Sequence, residues 1–184
     1  VTFIGTAVLG LITLKWRRQP LRFGLAVAAM LAAPIIWRLL DPALLEQSRS
    51  FFGIYTVRKD ETERFYVMRH GTTIHGTQFI DPGRRREPLA YYGRAGPVGQ
   101  FFASLEATPL RGVGVVGLGT GTLACYRRPG ERWSFFEIDA AVVEMAQSGR
   151  HFAFVKSCAA EARMVLGDAR LSLAAEPAGR YDLL

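Results

Sequence analysis

Gly117, Gly119 and Gly121 follow an apolar run, Val113, Val115 and Val116, at alternate positions. Glu137 and Asp139 close a second apolar run, Trp133-Ser-Phe-Phe136. Glycines at the end of a strand let the backbone bend sharply and leave its amides open to a ligand. A carboxylate at the tip of the next parallel strand is placed to accept hydrogen bonds from ribose hydroxyls. Together these residues describe a nucleoside pocket at the carboxyl ends of neighbouring strands. The expected ligand is an adenosine-containing cofactor.

The glycine spacing narrows the choice of cofactor. A dinucleotide fingerprint, Gly-x-Gly-x-x-Gly, places its third glycine where the helix packs on the strand. Here that place is Thr122. A formal match at Gly112-Val-Gly114-Val-Val-Gly117 lies before and inside the strand, where it cannot cradle a pyrophosphate. Gly-x-Gly-x-Gly followed by Glu-x-Asp is closer to proteins that bind S-adenosylmethionine. That ligand carries no phosphate and needs a tight turn but no anion-binding helix end. The plainer alternative is a packing turn with a solvated acid at a strand end.

The elements that must hold these residues can be read from the pattern around them. From Gly112 the chain alternates strand and helix: Val113–Val116, Thr122–Arg127, Trp133–Phe136, Ala140–Gly149, Met164–Leu166, Ala169–Ala175, and Tyr181–Leu184 opening a fourth strand. Short strands alternating with helices argue for a parallel, doubly wound sheet. Upstream, Ser50–Val57, Arg64–Met68 and Thr72–Ile80 are aromatic and β-branched, and are separated by turn signals. They predict a small antiparallel sheet. Pro97–Leu105 reads as a helix. No internal repeat is visible.

The first forty residues differ. Val1–Leu14 is uncharged and mostly apolar, a basic connector runs from Lys15 to Arg22, and Phe23–Trp37 is again uncharged. As a helix, residues 23–40 would span ~27 Å, just short of a ~30 Å hydrocarbon core. Arg38 could snorkel, and Trp16 and Trp37 sit where interfacial aromatics belong. The reading is a membrane segment over 1–40, the end of one span followed by a second. A buried helix pair or a signal-peptide core are the alternatives. The basic connector argues for a cytoplasmic loop, whereas an adenosyl cofactor argues that the downstream domains are cytoplasmic. The cofactor argument places the chain on a bacterial inner membrane with those domains inside.

With 184 residues there is room for one ordinary domain and an appendage. The chain opens at Val1 and stops inside an apolar run, which reads as an internal fragment. Lys and Arg outnumber Asp and Glu by 23 to 16, a net +7. The charge is dispersed rather than striped with aromatics, so nucleic acid is not an expected partner. Arg84-Arg-Arg86 follows the turn signal Asp81-Pro-Gly83 and reads as a solvated loop. Cys125 and Cys158 lack metal spacing, and suggest neither zinc nor a disulfide framework; a reducing compartment fits.

Several pieces then converge. His70-Gly-Thr-Thr-Ile-His-Gly-Thr-Gln78, Tyr91-Tyr-Gly93, Val116-Gly-Leu-Gly-Thr-Gly-Thr122, Phe136-Glu-Ile-Asp139, Gly167-Asp-Ala-Arg170 and Tyr181-Asp-Leu-Leu184 occur in the order seen in spermidine synthases. Over residues 50–184 the chain resembles the bacterial membrane-fused spermidine synthase-like proteins, which carry transmembrane helices before the synthase-like domain. The resemblance implies a Rossmann-like class I S-adenosylmethionine-dependent transferase sheet over 96–184, cut at its C-terminus. It also implies a β-subdomain over 50–95 and N-terminal transmembrane helices.

By matching motif, Gly117, Gly119, Thr120 and Gly121 would form the turn under the cofactor, and Glu137 would hold the ribose. Asp168, with Ala169 beside it, would accept from the adenine amino group. Gln78 and Tyr91 would fall near the cofactor- and amine-lining positions. The implied cofactor is decarboxylated S-adenosylmethionine or S-adenosylmethionine, without metal. The implied partner is a small amine such as putrescine, and the resemblance leaves room for a homodimer.

This chemistry needs no covalent nucleophile. A sulfonium makes the neighbouring carbon electrophilic, so the protein must align the amine, take its proton and exclude water. Two departures from the family matter. Its glycine turn carries an aspartate for the aminopropyl ammonium, and Thr120 stands in that place. A hydroxyl does not replace a charge-assisted bond, which points to ordinary S-adenosylmethionine or to a different amine. The family's catalytic aspartate would lie past Leu184, so the catalytic residue is unassigned and this stretch alone is expected to be inactive.

His70 and His75 read as turn residues before ligands or bases, His151 as a loop residue after a helix, and Asp182 as a structural acid. Methyl transfer on the same scaffold, and a non-catalytic sensor of a nucleoside or polyamine, stay open beside aminopropyl transfer. A nicotinamide dehydrogenase is disfavoured by Thr122.

Overall fold

The computed structural model describes residue 10 and residues 13–184, and these fall into two compact units that divide after Pro42. In the first unit, helix α1 covers Pro20–Leu39. Pro20 opens it, where a missing N–H costs nothing. Pro34 lies inside it and removes one of its backbone hydrogen bonds.

The membrane expectation fails here. Among the described residues no helix is long and apolar enough to cross a membrane. The reason lies in the arginines. Between Arg22 and Arg38 the uncharged stretch of α1 rises only about 22 Å, well under the ~30 Å hydrocarbon thickness. The transmembrane helices and the bacterial inner-membrane location that rested on them are therefore withdrawn. The expected earlier span, Val1–Leu14, falls mostly outside the described residues.

The second unit is α/β. Four antiparallel strands, β1 (Leu44–Ser50), β2 (Gly53–Lys59), β3 (Phe65–His70) and β4 (Thr73–Phe79), pair in sequence order. The segment read as one strand, 50–57, is strand β2 from Gly53 onward, with a hairpin turn at its start. Ser50 pairs with Gly53, and the chain turns at Phe51 and Phe52. Alternation sets the buried face, with Tyr55, Val57 and Met68 inside. One residue breaks the register of β4. Met68 pairs with Gly76 and Arg69 with Ile74, which leaves His75 as an extra, bulged residue.

After helix α2 (Pro97–Ser104) comes a parallel sheet of β5 (Gly112–Val116), β6 (Arg132–Glu137) and β7 (Arg163–Leu166). Helices α3 (Ala140–Ser148), α4 (Phe154–Cys158) and α5 (Ala169–Ala174) complete it. Leu183 bridges Val113 in parallel on the edge of β5 away from β6. The strand order therefore runs β7, β6, β5, then Leu183, and reverses direction of growth at β5. Ligands in open α/β sheets bind at the carboxyl ends of strands at such a switch point. One core joins the two sheets: Tyr55, Val57 and Met68 pack in the same cluster as Val113, Trp133, Phe135 and Phe152.

The cysteines correct a further expectation. Cys125, in the 3₁₀ turn Thr122–Tyr126, and Cys158, at the end of α4, form a disulfide. Their 33-residue separation gives no sign of pairing. Only the packing of α4 on the segment after the glycine turn brings them together.

Candidate functional site

The strand β5 ends at Val116 and the chain turns through Gly117, Gly119 and Gly121, at φ of 86°, 55° and 81°. Only glycine adopts such values without strain. Across the turn, at the end of β6, the Glu137 carboxylate accepts from the Leu118 amide at 2.8 Å and from the Asp139 amide at 3.0 Å. Glu137 thus braces the turn from below, while its remaining lone pairs stay open to a ligand.

Gly117, Gly119 and Glu137 line one cavity of about 260 Å³, together with Tyr91 and Tyr92. This volume falls just under the roughly 300–1,000 Å³ common for small-molecule sites. A β-carbon on Gly117 would meet nothing within 4 Å, so a ligand can approach its backbone directly.

The antiparallel sheet supplies the opposite wall. Tyr55 of β2 and His75 of β4 face the cavity. The Tyr55 hydroxyl, hydrogen-bonded to the Asp139 side chain, has its pKa pushed up to about 12, first by burial and then by that carboxylate. Asp139 also accepts from the Ser50 hydroxyl, and it caps α3 by accepting from the Ala141 amide at 2.9 Å. Burial holds the His75 imidazole below the ordinary histidine range. Repulsion from His70 adds to this and attraction to Glu137 opposes it.

Other expected residues lie elsewhere. Thr120 is buried against the β4 bulge, where a β-carbon on Gly76 would come within 2.2 Å of its hydroxyl. Its Oγ1 pairs with Thr122 Oγ1 at 2.9 Å. Gly121 packs on Val155, outside the cavity wall. Gln78 is fully buried; its Oε1 accepts from the Ala153 amide at 2.7 Å and its Nε2 donates to the His151 carbonyl at 3.2 Å. It is a strut between β4 and the loop after α3.

Asp168 caps α5, accepting from the Arg170 and Leu171 amides at 2.8 and 3.3 Å, and neither it nor Ala169 lines the cavity. Asp182 accepts from the Arg111 and Gly112 amides at the start of β5, and these bonds hold its carboxyl below the usual range. The His151 Nε2 lies 3.3 Å from Glu46 of β1.

Among the described residues no group of three or more His, Cys, Asp or Glu is arranged to hold a metal. A larger hollow, about 820 Å³, lies against the outer face of the antiparallel sheet around Thr56, Arg58 and Arg69. It touches none of the glycine turn or the strand-end acids, so the smaller cavity is the site where the chemistry gathers.

Tyr55 was invisible as a site residue in the sequence: it lies on a segment that reads as an ordinary strand, and only the packing of one sheet on the other turns it toward Glu137. Tyr92 stood in the Tyr91-Tyr-Gly93 motif without being singled out, and the 3₁₀ turn Ala90–Tyr92 carries it to the cavity. No protein-family model matches the chain, and no curated protein matches it either. The likeness to spermidine synthases therefore stands on the ordered motifs alone.

Proposed function

We propose that the cavity binds an S-adenosyl ligand, S-adenosylmethionine or its decarboxylated form, and that the domain is a scaffold for transfer of an aminopropyl or related alkyl group to an amine. The observation that supports this reading is that Gly117, Gly119 and the Glu137 carboxylate border one hollow at the switch point of a parallel sheet. The backbone of the turn lies under the nucleoside, and Glu137 accepts from its ribose hydroxyls. In the transfer, the amine nitrogen bonds to the carbon beside the sulfonium. The carbon–sulfur bond breaks, its electron pair stays on sulfur as a neutral thioether, and the amine's proton passes to a base. The phenol Tyr91 and the imidazole His75 stand on the walls of the same hollow.

One observation favours a second reading, binding without transfer. The turn residue Thr120 points into the protein rather than the cavity, so the turn presents no carboxylate to an ammonium.

Calorimetric titration with S-adenosylmethionine, its decarboxylated form, methylthioadenosine and NAD tests the proposal. Binding of the adenosyl ligands in preference to NAD is expected, with an affinity loss of about tenfold or more in Glu137→Gln. Preference for NAD, or adenosyl binding indifferent to Glu137, contradicts it.

A further inference from the structure

We propose that His75 is the acceptor that holds the ammonium group of the ligand in this cavity, and so selects amine-bearing adenosyl compounds over those without an amine. The inference rests on the adenosyl site proposed above. It starts from the bulge: His75 is the one residue of β4 without a partner on β3, and a bulge re-aims a side chain out of the regular alternation. Here it directs the imidazole to the cavity lined by Gly117, Gly119 and Glu137. The His75 carbonyl lies against the turn as well, 3.1 Å from where a β-carbon on Gly119 would stand. The same residue thus supports the turn and faces the ligand space.

The other polar groups of the cavity are already engaged. Each Glu137 carboxylate oxygen accepts from a backbone amide, and the remaining lone pairs are those that meet the ribose hydroxyls in the proposed site. The Tyr55 hydroxyl is spent on Asp139, and the Tyr91 and Tyr92 hydroxyls on each other. Thr120, at the turn position where an acid could have met a cation, is bonded to Thr122 inside the protein. His70 stacks on Tyr55 at 4.5 Å, and its Nε2 is 2.8 Å from the Phe52 carbonyl oxygen, to which it donates. The ring nitrogens of His75 carry no hydrogen bond among the described residues. A neutral imidazole offers one nitrogen as acceptor, and a bond from a charged donor is among the stronger ones.

The groups facing His75 are His70 from β3, Tyr55 from β2, Glu137 from β6, and Tyr91 and Tyr92 from the turn before α2. Burial and His70 keep the imidazole neutral at neutral pH, against the pull of Glu137. The acceptor is present there, and it is lost as pH falls through that lowered value. Protonated His75 then repels the ammonium.

The test compares two thioethers that differ in the amine: S-adenosyl-3-thiopropylamine, which carries an ammonium, and methylthioadenosine, which does not. Titrated calorimetrically at about pH 7.5 and about pH 5, the full chain is expected to prefer the amine by about tenfold or more at the higher pH only. His75→Ala is expected to remove the preference, weakening the amine far more than methylthioadenosine at the higher pH. His75→Asn, an uncharged side chain of similar reach, binds the two with a ratio that does not change with pH.

A preference that survives in His75→Ala overturns the proposal. So does equal weakening of both ligands, which would make His75 a packing residue, or a pH-dependent ratio in His75→Asn, which would assign the effect to His70. Methylthioadenosine binding without any preference defeats this inference alone. Failure of both ligands to bind defeats the adenosyl site and the inference with it.

Discussion

At Gly119 a methyl group would stand 3.1 Å from the His75 carbonyl oxygen, on a backbone held at φ 55°. At Gly117 the same methyl would meet no protein atom within 4 Å and would enter the cavity. The two substitutions therefore separate folding from binding. Gly119→Ala is expected to cost about 1–2 kcal/mol of stability through left-handed strain, and the carbonyl contact adds to it. Gly117→Ala carries the strain without the contact, and its larger effect falls on ligand affinity. Thermal melts and calorimetry on both variants check this; equal affinity losses with equal stability losses would contradict it. The need for glycine was legible from alternate glycines after an apolar run. Which one meets protein and which one meets ligand was not, because the answer lies in the carbonyl of a residue more than forty positions upstream.

The elements on either side of the turn are tied by covalent and ionic links that spacing does not reveal. The disulfide joins the segment after Gly121 to α4. Near the base of the sheet, Glu131 accepts from the Trp133 indole and from Arg128, whose guanidinium also donates to the carbonyls of Leu105, Glu106 and Thr108. These bonds fix the connection before β5. Breaking the disulfide, by reduction or in Cys158→Ser, is expected to lower stability by about 4 kcal/mol, as for a closed loop of this length. Urea unfolding of the oxidised and reduced protein measures it, and unchanged midpoints would contradict it.

At this scale the βαβ pattern from Gly112 onward was readable, since runs such as Trp133–Phe136 and Ala140–Gly149 differ sharply in period. β1 was missed because Leu44–Ser50 holds Glu46, Gln47, Ser48 and Arg49, a polar stretch that pairs along only one edge. The bulge at His75 left no trace, because a single extra residue looks like ordinary alternation until its partner strand is known.

Across the whole second unit, the site is a property of two sheets rather than of one motif. The parallel sheet contributes Gly117, Gly119 and Glu137, and the antiparallel sheet contributes Tyr55 and His75. Sequence motifs recorded the first set because it is contiguous with a turn. The second set depends on which face of a four-stranded sheet is buried, and that is decided by contacts with Val113, Trp133 and Phe135. The N-terminal unit teaches the reverse lesson. Apolar content suggested a membrane span, yet Arg22 and Arg38 leave too short an uncharged length between them.

The central claim is that the glycine turn and Glu137 form one nucleoside site, and a crystal structure of the protein with methylthioadenosine tests it most directly. The account predicts the adenosine over Gly117–Gly119, with a ribose hydroxyl within about 3 Å of a Glu137 carboxylate oxygen. Density for the nucleoside at any other surface, with the space beside Glu137 left to solvent, would contradict it.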